Sequence, residues 1–336
     1  MRKIVIYICI LIILGCAVYY IGEKTGHPVS ELWEYAGEKI SDHNILSGSV
    51  PADKRYESLK REYTFDRAMY PYLYMLSERG QKAYYIIYDG VSKCEKSIKL
   101  GDDIGVDRIE IMTVVTAVYN DHPDLFWMDS AARYTYEERS GIIVDISPEY
   151  NDLANNLSAA KTTFKANADQ ILSYAKKIGD NSVLAKEVYI HDCLCEICDY
   201  DESASNHQSA YSCLVEGRSV CSGYSRAFQY LMQQLGIPAY LVIGDINGGG
   251  PHAWNMVMIN GNYYNVDVTW DDEVGRQIEE KCHAFFNVSD DDIKATHKRD
   301  NLSLNLERCP YNDMSYGKAV GYTISIDNIK MVPPSK

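Results

Sequence analysis

The stretch that decides the fold reads His252-Ala253-Trp254-Asn255-Met256-Val257-Met258-Ile259-Asn260-Gly261-Asn262-Tyr263-Tyr264-Asn265-Val266-Asp267-Val268-Thr269-Trp270. Asn260-Gly261 is a strong type I′ hairpin signal, and the runs on either side are rich in β-branched and aromatic residues. A two-residue loop puts Ile259 opposite Asn262. Carried along the strands, that register predicts His252 opposite Thr269 and Asp267 opposite Trp254. His252, Trp254, Asp267 and Thr269 then share one face, and Asp267 is the diagonal neighbour of His252. A slip of one residue would send Asp267 to the other face.

Upstream, Ala239 to Gly244 reads as a further strand, joined to the hairpin by the glycine-rich loop Asn247 to Pro251. Before it, Val220-Cys221-Ser222-Gly223-Tyr224 opens a helical pattern (Ala227, Phe228, Tyr230, Leu231, Leu235) that stops at Gly236-Ile237-Pro238. Cys221 is thus placed at a helix start, where unpaired N–H groups and the macrodipole favour a thiolate. A buried cysteine, a strand-edge histidine and a strand-end carboxylate are each common alone. Together, in the order Cys, His, Asp and with a hairpin that brings the last two side by side, they are the set that cysteine acyl transfer needs. His252 takes the thiol proton and Asp267 fixes the imidazole.

At these residues the sequence resembles the transglutaminase-like superfamily. The resemblance runs from about Val183 to Asp272 and rests on Asp199-Tyr200-Asp201, Gly217-Arg218-Ser219-Val220-Cys221-Ser222-Gly223-Tyr224, Leu235-Gly236-Ile237-Pro238, His252-Ala253-Trp254-Asn255 and Tyr264-Asn265-Val266-Asp267-Val268-Thr269-Trp270-Asp271-Asp272. It implies an α+β fold: a papain-like core with the nucleophile helix packed on an antiparallel sheet, here preceded by a smaller α+β block. It also implies Cys221 as nucleophile, His252 as base and Asp267 as its orienting partner. For the oxyanion and substrate contacts the expected donors are the Cys221 N–H and a side chain upstream, Gln208 or His207. Trp254 and Trp270 are expected to pack around the His–Asp pair rather than touch substrate, with Trp254 kept as a candidate substrate contact because it shares the catalytic face. The activity implied is acyl transfer on peptide or carboxamide bonds, by hydrolysis or transamidation. The alternative is a surface-anchored, non-catalytic binding scaffold on the same fold.

Other chemistry-bearing residues read more plainly. Cys193-Leu194-Cys195-Glu196-Ile197-Cys198 ends a helical pattern and lacks a second ligand pair at zinc spacing, so packing or a local disulfide is expected. Asp271-Asp272-Glu273 and Asp290-Asp291-Asp292 lack the alternating oxygens of a calcium loop and are expected to be solvated, with Asp290 capping a short helix. His283 and His297 are expected to be structural. No metal and no cofactor are expected.

The remainder sets organisation. Residues 52–150 form the first α+β block, with helices expected over Tyr70 to Val91 and Asp107 to Tyr119. Strands are expected at Lys96 to Leu100, Arg133 to Glu138 and Ile142 to Ile146, and His122 to Trp127 reads as a buried corner. Residues 151–336 form the catalytic region, opening with helices over Asn151 to Ile178 and Val183 to Cys198. Residues 23–51 read as a stalk. Residues 1–22 carry Arg2-Lys3 followed by an uncharged run from Ile4 to Gly22, about 28 Å long as a helix and close to one bilayer core. This is either an uncleaved anchor or a lipoprotein signal with Cys16 as the lipid site, and both put the remainder on the extracytoplasmic side.

The chain's 336 residues carry a net charge of −14, which removal of Arg2 and Lys3 takes to −16. An acidic surface of that kind argues against nucleic acid as a partner. Protein or peptide substrates are expected instead, cell-wall peptides among them.

Overall fold

A computed structural model describes residues 51–313 apart from 179–181, 248 and 279–281. The anchor segment with Cys16, the stalk up to residue 50 and the tail at Val332-Pro333-Pro334 lie outside the described residues. Among those described, no helix is long and apolar enough to cross a membrane.

The first block begins with helix α1 (Ala52–Glu62), followed by a 3-10 turn (Leu73–Met75) and α2 (Glu78–Ser92). The single helix expected from Tyr70 is therefore broken, for two reasons. Asp121 takes the N–H groups of Tyr72 and Leu73 at 3.2 and 2.9 Å, closing the first turn on itself. Ser77 then accepts the Gly80 N–H as an N-cap, so α2 starts afresh. A short strand β1 (Ile98–Lys99), helix α3 (Glu110–Asp121) and the hairpin β2 (Met128–Tyr136) and β3 (Ile143–Tyr150) complete the block. They give an antiparallel sheet in the order β1-β3-β2. The His122 to Trp127 corner is buried as expected, with Phe65, Tyr70, Tyr84 and Tyr88 packed around the His122 ring.

Two long helices follow, α4 (Leu157–Ala175) and α5 (Val183–Ile197), the second capped by Ser182. The strands β4 (Asp199–Tyr200) and β5 (Arg218–Ser219) pair in parallel and lead into α6 (Cys221–Gln234). Strands β6 (Ala239–Ile246), β7 (Gly250–Ile259), β8 (Asn262–Val266) and β9 (His297–Arg299) form an antiparallel sheet in the order β8-β7-β6-β9. Helices α7 (Val268–Ile278) and α8 (Asp290–Ile293) lie between β8 and β9 in the chain. The fold is α+β, with α6 tied to the sheet by polar bonds. Ser225 Oγ donates to the Ala253 carbonyl at 3.0 Å, and Asn255 Nδ2 donates to Ser225 and Tyr240 carbonyls at 2.9 and 3.2 Å.

The first block and the helix carrying Cys221 share one buried core. The Arg226 guanidinium, fully enclosed, donates to the carbonyls of Tyr119 and His122 at 2.6 and 3.0 Å and lies 3.9 Å from the Tyr119 ring centroid. Gln229 Nε2 donates to the Asn120 carbonyl at 2.8 Å. These bonds satisfy the end of α3 with side chains from α6, so the first block fixes the position of the helix that carries Cys221.

Candidate active site

The hairpin forms where the sequence places it. Asn260 and Gly261 both have positive φ, 50° and 81°, as a type I′ turn requires. Ile259 pairs with Asn262, and the register holds through Asn255 and Val266. There the ladder stops. Thr269 and Trp270 are in the first turn of α7 rather than on the strand, so the expected pairs His252 with Thr269 and Trp254 with Asp267 do not form. Asp267 caps the new helix: its Oδ1 accepts the Trp270 N–H at 3.1 Å, while its own N–H donates to the Phe285 carbonyl at 3.0 Å.

That corner leaves Oδ2 facing the sheet. It accepts from His252 Nε2 at 2.6 Å, and both side chains are buried. With Nε2 committed to the carboxylate, Nδ1 is left for the Cys221 sulfur, which also hydrogen bonds to this imidazole. Burial pushes His252 toward its neutral form. The Asp267 charge and hydrogen bond, with a contribution from Cys221, outweigh burial and raise its pKa to about 10. Burial likewise opposes the Asp267 charge, but His252 and His297 together hold the carboxyl well below its ordinary range. The pair is a buried ion pair.

Cys221 is the first residue of α6, after Val220 in an extended conformation. Gly223 explains how the loop before it can press so close. A Cβ at that position would sit 1.8 Å from Ser219 Oγ and 2.8 Å from the carbonyls of His207 and Ser209. The loop is fastened by Val220 N–H to the His207 carbonyl at 3.2 Å and by Ser222 Oγ to the Gln208 carbonyl at 3.0 Å. The Gln208 backbone thus lies beside the turn that carries Cys221, with the residue itself exposed. The His207 ring is occupied locally, Nδ1 bonding the Ala204 carbonyl at 2.8 Å.

Of the two readings of Trp254, the structure fits packing and not a substrate contact. It is 1% exposed, stacks 6.1 Å behind His252 and donates its indole N–H to Asn265 Oδ1 at 3.2 Å. It packs the base from behind. The acidic stretch is corrected too. Asp271 and Asp272 are 1% and 4% exposed, not solvated. Asp272 accepts from Tyr224 OH and Arg276, and Asp271 from the Phe285 N–H. In the other stretch the cap is Ser289, which forms a capping box with Asp292, rather than Asp290.

The eight described cysteines are free thiols. Cys198 hydrogen bonds to Cys213 inside the core, and Cys195 reaches the Val268 carbonyl. Sequence reasoning missed two residues near the triad. His297, on β9, donates from Nε2 to the same Asp267 Oδ2 at 3.0 Å. No spacing signals it, because β9 joins the sheet at the edge farthest from β8. Tyr200 on β4 lies close enough to Cys221 for the thiolate charge to add to burial in raising its pKa to about 12.

Residues 172–268 match the family model of the transglutaminase-like superfamily. The match supports a cysteine-dependent enzyme family. Two solved structures resemble parts of the chain. A Cytophaga hutchinsonii protein described as a candidate cysteine protease is 27% identical over 30% of this chain and 37% of its own, with a TM-score of 0.27. A protein described as a TGase is 18% identical over 42% of this chain and 44% of its own, with a TM-score of 0.28. Each likeness spans less than half of the solved chain. No curated protein matches the sequence.

Proposed function

We propose that the chain is an extracytoplasmic cysteine acyl-transfer enzyme acting on peptide or carboxamide bonds, held at the membrane through residues 1–22. The observation that carries this reading is the His252 imidazole, bonded at 2.6 Å to a buried carboxylate on one side and to the Cys221 sulfur at a helix start on the other. In the ion-paired resting state His252 Nδ1 already holds the proton taken from the Cys221 thiol, and the thiolate attacks the substrate carbonyl. The Cys221 N–H, with Gln208 as the candidate second donor, faces the oxyanion that develops. Collapse breaks the C–N bond, His252 returns the proton to the leaving ammonia or amine, and a thioester remains on Cys221. Water then gives a peptidase or amidase, and a lysine-type amine gives a cross-linker.

Incubation with a glutamine-containing peptide, followed by intact-mass measurement at low pH, tests the reading. A hydroxylamine-labile adduct on Cys221, formed by the wild type and not by Cys221→Ala, is expected. Turnover of peptide by the Cys221→Ala protein would exclude it. Partition of the adduct between water and an added amine then separates hydrolysis from transamidation.

A further inference from the structure

A second cluster lies behind the triad. His191 on α5 is 1% exposed and bonded on both ring nitrogens: Nδ1 to Asp192 Oδ1 at 3.1 Å and Nε2 to Asp271 Oδ2 at 3.1 Å. His283 brings its Nε2 to the same Asp192 oxygen at 2.8 Å. One donor atom each from His191, Asp192 and His283 falls within 4.8 Å of the others. We propose that these three residues form a binding site for a divalent transition cation of the zinc class, with water completing the coordination.

Two neutral imidazoles and a carboxylate are a donor set that suits such ions and leaves a fourth position for water. Both imidazole nitrogens already converge on one oxygen as N–H donors, so once those protons leave, both nitrogens face a common space. The far nitrogen of His191 meets Asp271, whose other oxygen is fixed by the Phe285 N–H at 2.9 Å. A ligating histidine oriented by a carboxylate through its second nitrogen is the usual support of a metal site. A bound cation displaces both protons that face Asp192 Oδ1: the one on His191 Nδ1 goes to solvent, and the one on His283 Nε2 leaves for solvent or for that ring's Nδ1. The site is reachable, since the Asp192 and His283 side chains keep 10% and 8% exposure.

His252, Asp267 and His297 also bring three donors within 4.8 Å. Both of those rings donate Nε2 to one oxygen, and the remaining nitrogen of His252 serves Cys221, so a cation there would dismantle the triad. The second cluster carries no such conflict. A cation at His283 would stiffen the segment whose Phe285 also accepts the Asp267 N–H. The site thereby braces the corner on which the triad carboxylate depends.

The full chain, equilibrated with zinc chloride and desalted, gives metal content by mass spectrometry and affinity by chelator competition. About one zinc per chain is expected, equal in wild type and Cys221→Ala and lost in His283→Ala. Asp271→Asn keeps the ligands and should weaken affinity about 10–100-fold. Circular dichroism establishes that each variant is folded, so loss of zinc is read only from folded protein. A wild type that retains no zinc, or a folded His283→Ala that binds zinc like wild type, would overturn the assignment.

Discussion

Two imidazole–carboxylate clusters stand one helical turn apart around the start of α7, one at Asp267 and one at Asp271. In each, a single carboxylate oxygen receives two histidines: Asp267 Oδ2 takes His252 and His297, and Asp192 Oδ1 takes His191 and His283. The difference is on the far side of the central ring. His252 turns its other nitrogen to the Cys221 sulfur, whereas His191 turns its own to a second carboxylate, Asp271. An imidazole between two carboxylates holds a cation in place. One between a carboxylate and a thiol can move a proton. The chemistry of the first cluster therefore comes from the helix start that supplies the thiol, not from the His–Asp pair alone.

The largest effect that sharpens this contrast is at the thiol: Cys221→Ala should abolish adduct formation while leaving the unfolding midpoint near wild type. Next is the base. His252→Ala should slow adduct formation by about 10²–10⁴-fold, and a loss of less than tenfold in single-turnover assays would break the comparison by making the imidazole incidental. In the other cluster, Asp271→Asn should cost about 1–3 kcal/mol of stability by urea unfolding, because it weakens bonds to His191 and the Phe285 N–H. It should leave the pH profile of adduct formation unmoved. The smallest effect is expected of His297→Asn, a change of a few-fold in rate accompanied by a shift of that profile.

Stability should also follow the first ion pair. His252 has a raised pKa, so its contribution is complete below about pH 6.5 and is lost as the pH rises through about 10. Asp267 has a lowered one, so its contribution is complete above about pH 4 and is lost as the pH falls toward the depressed value. Urea midpoints should be highest between roughly pH 4 and 6.5 and decline on both sides, and Asp267→Asn should flatten the acid limb.

What could be read in the sequence was local. The Asn260-Gly261 turn set the register, and the helix pattern after Val220 set Cys221 at its start, because both depend on neighbours in the chain. The corner at Asp267 was not readable: Val268, Thr269 and Trp270 are good strand residues, and the carboxylate's capping of α7 overrides their preference. His297 and the His191–Asp192–His283 cluster were hidden for another reason. Their donors come from segments far apart in sequence, joined only when β9 and the 283–288 segment close over α5 and α7. The buried state of Asp271 and Asp272 was lost the same way, since Phe285 and Tyr224 reach them only in the fold; Arg276, one turn along α7 from Asp272, is the local exception.

The most direct test of the account is the rate of iodoacetamide alkylation at Cys221 across pH, in wild type and His252→Ala. Activation by a charged imidazole predicts fast, selective alkylation well below the free-thiol pKa of about 8.5, with His252→Ala displaced toward that value. Slow alkylation that follows an ordinary thiol in both proteins would contradict it and leave the non-catalytic scaffold as the reading of this fold.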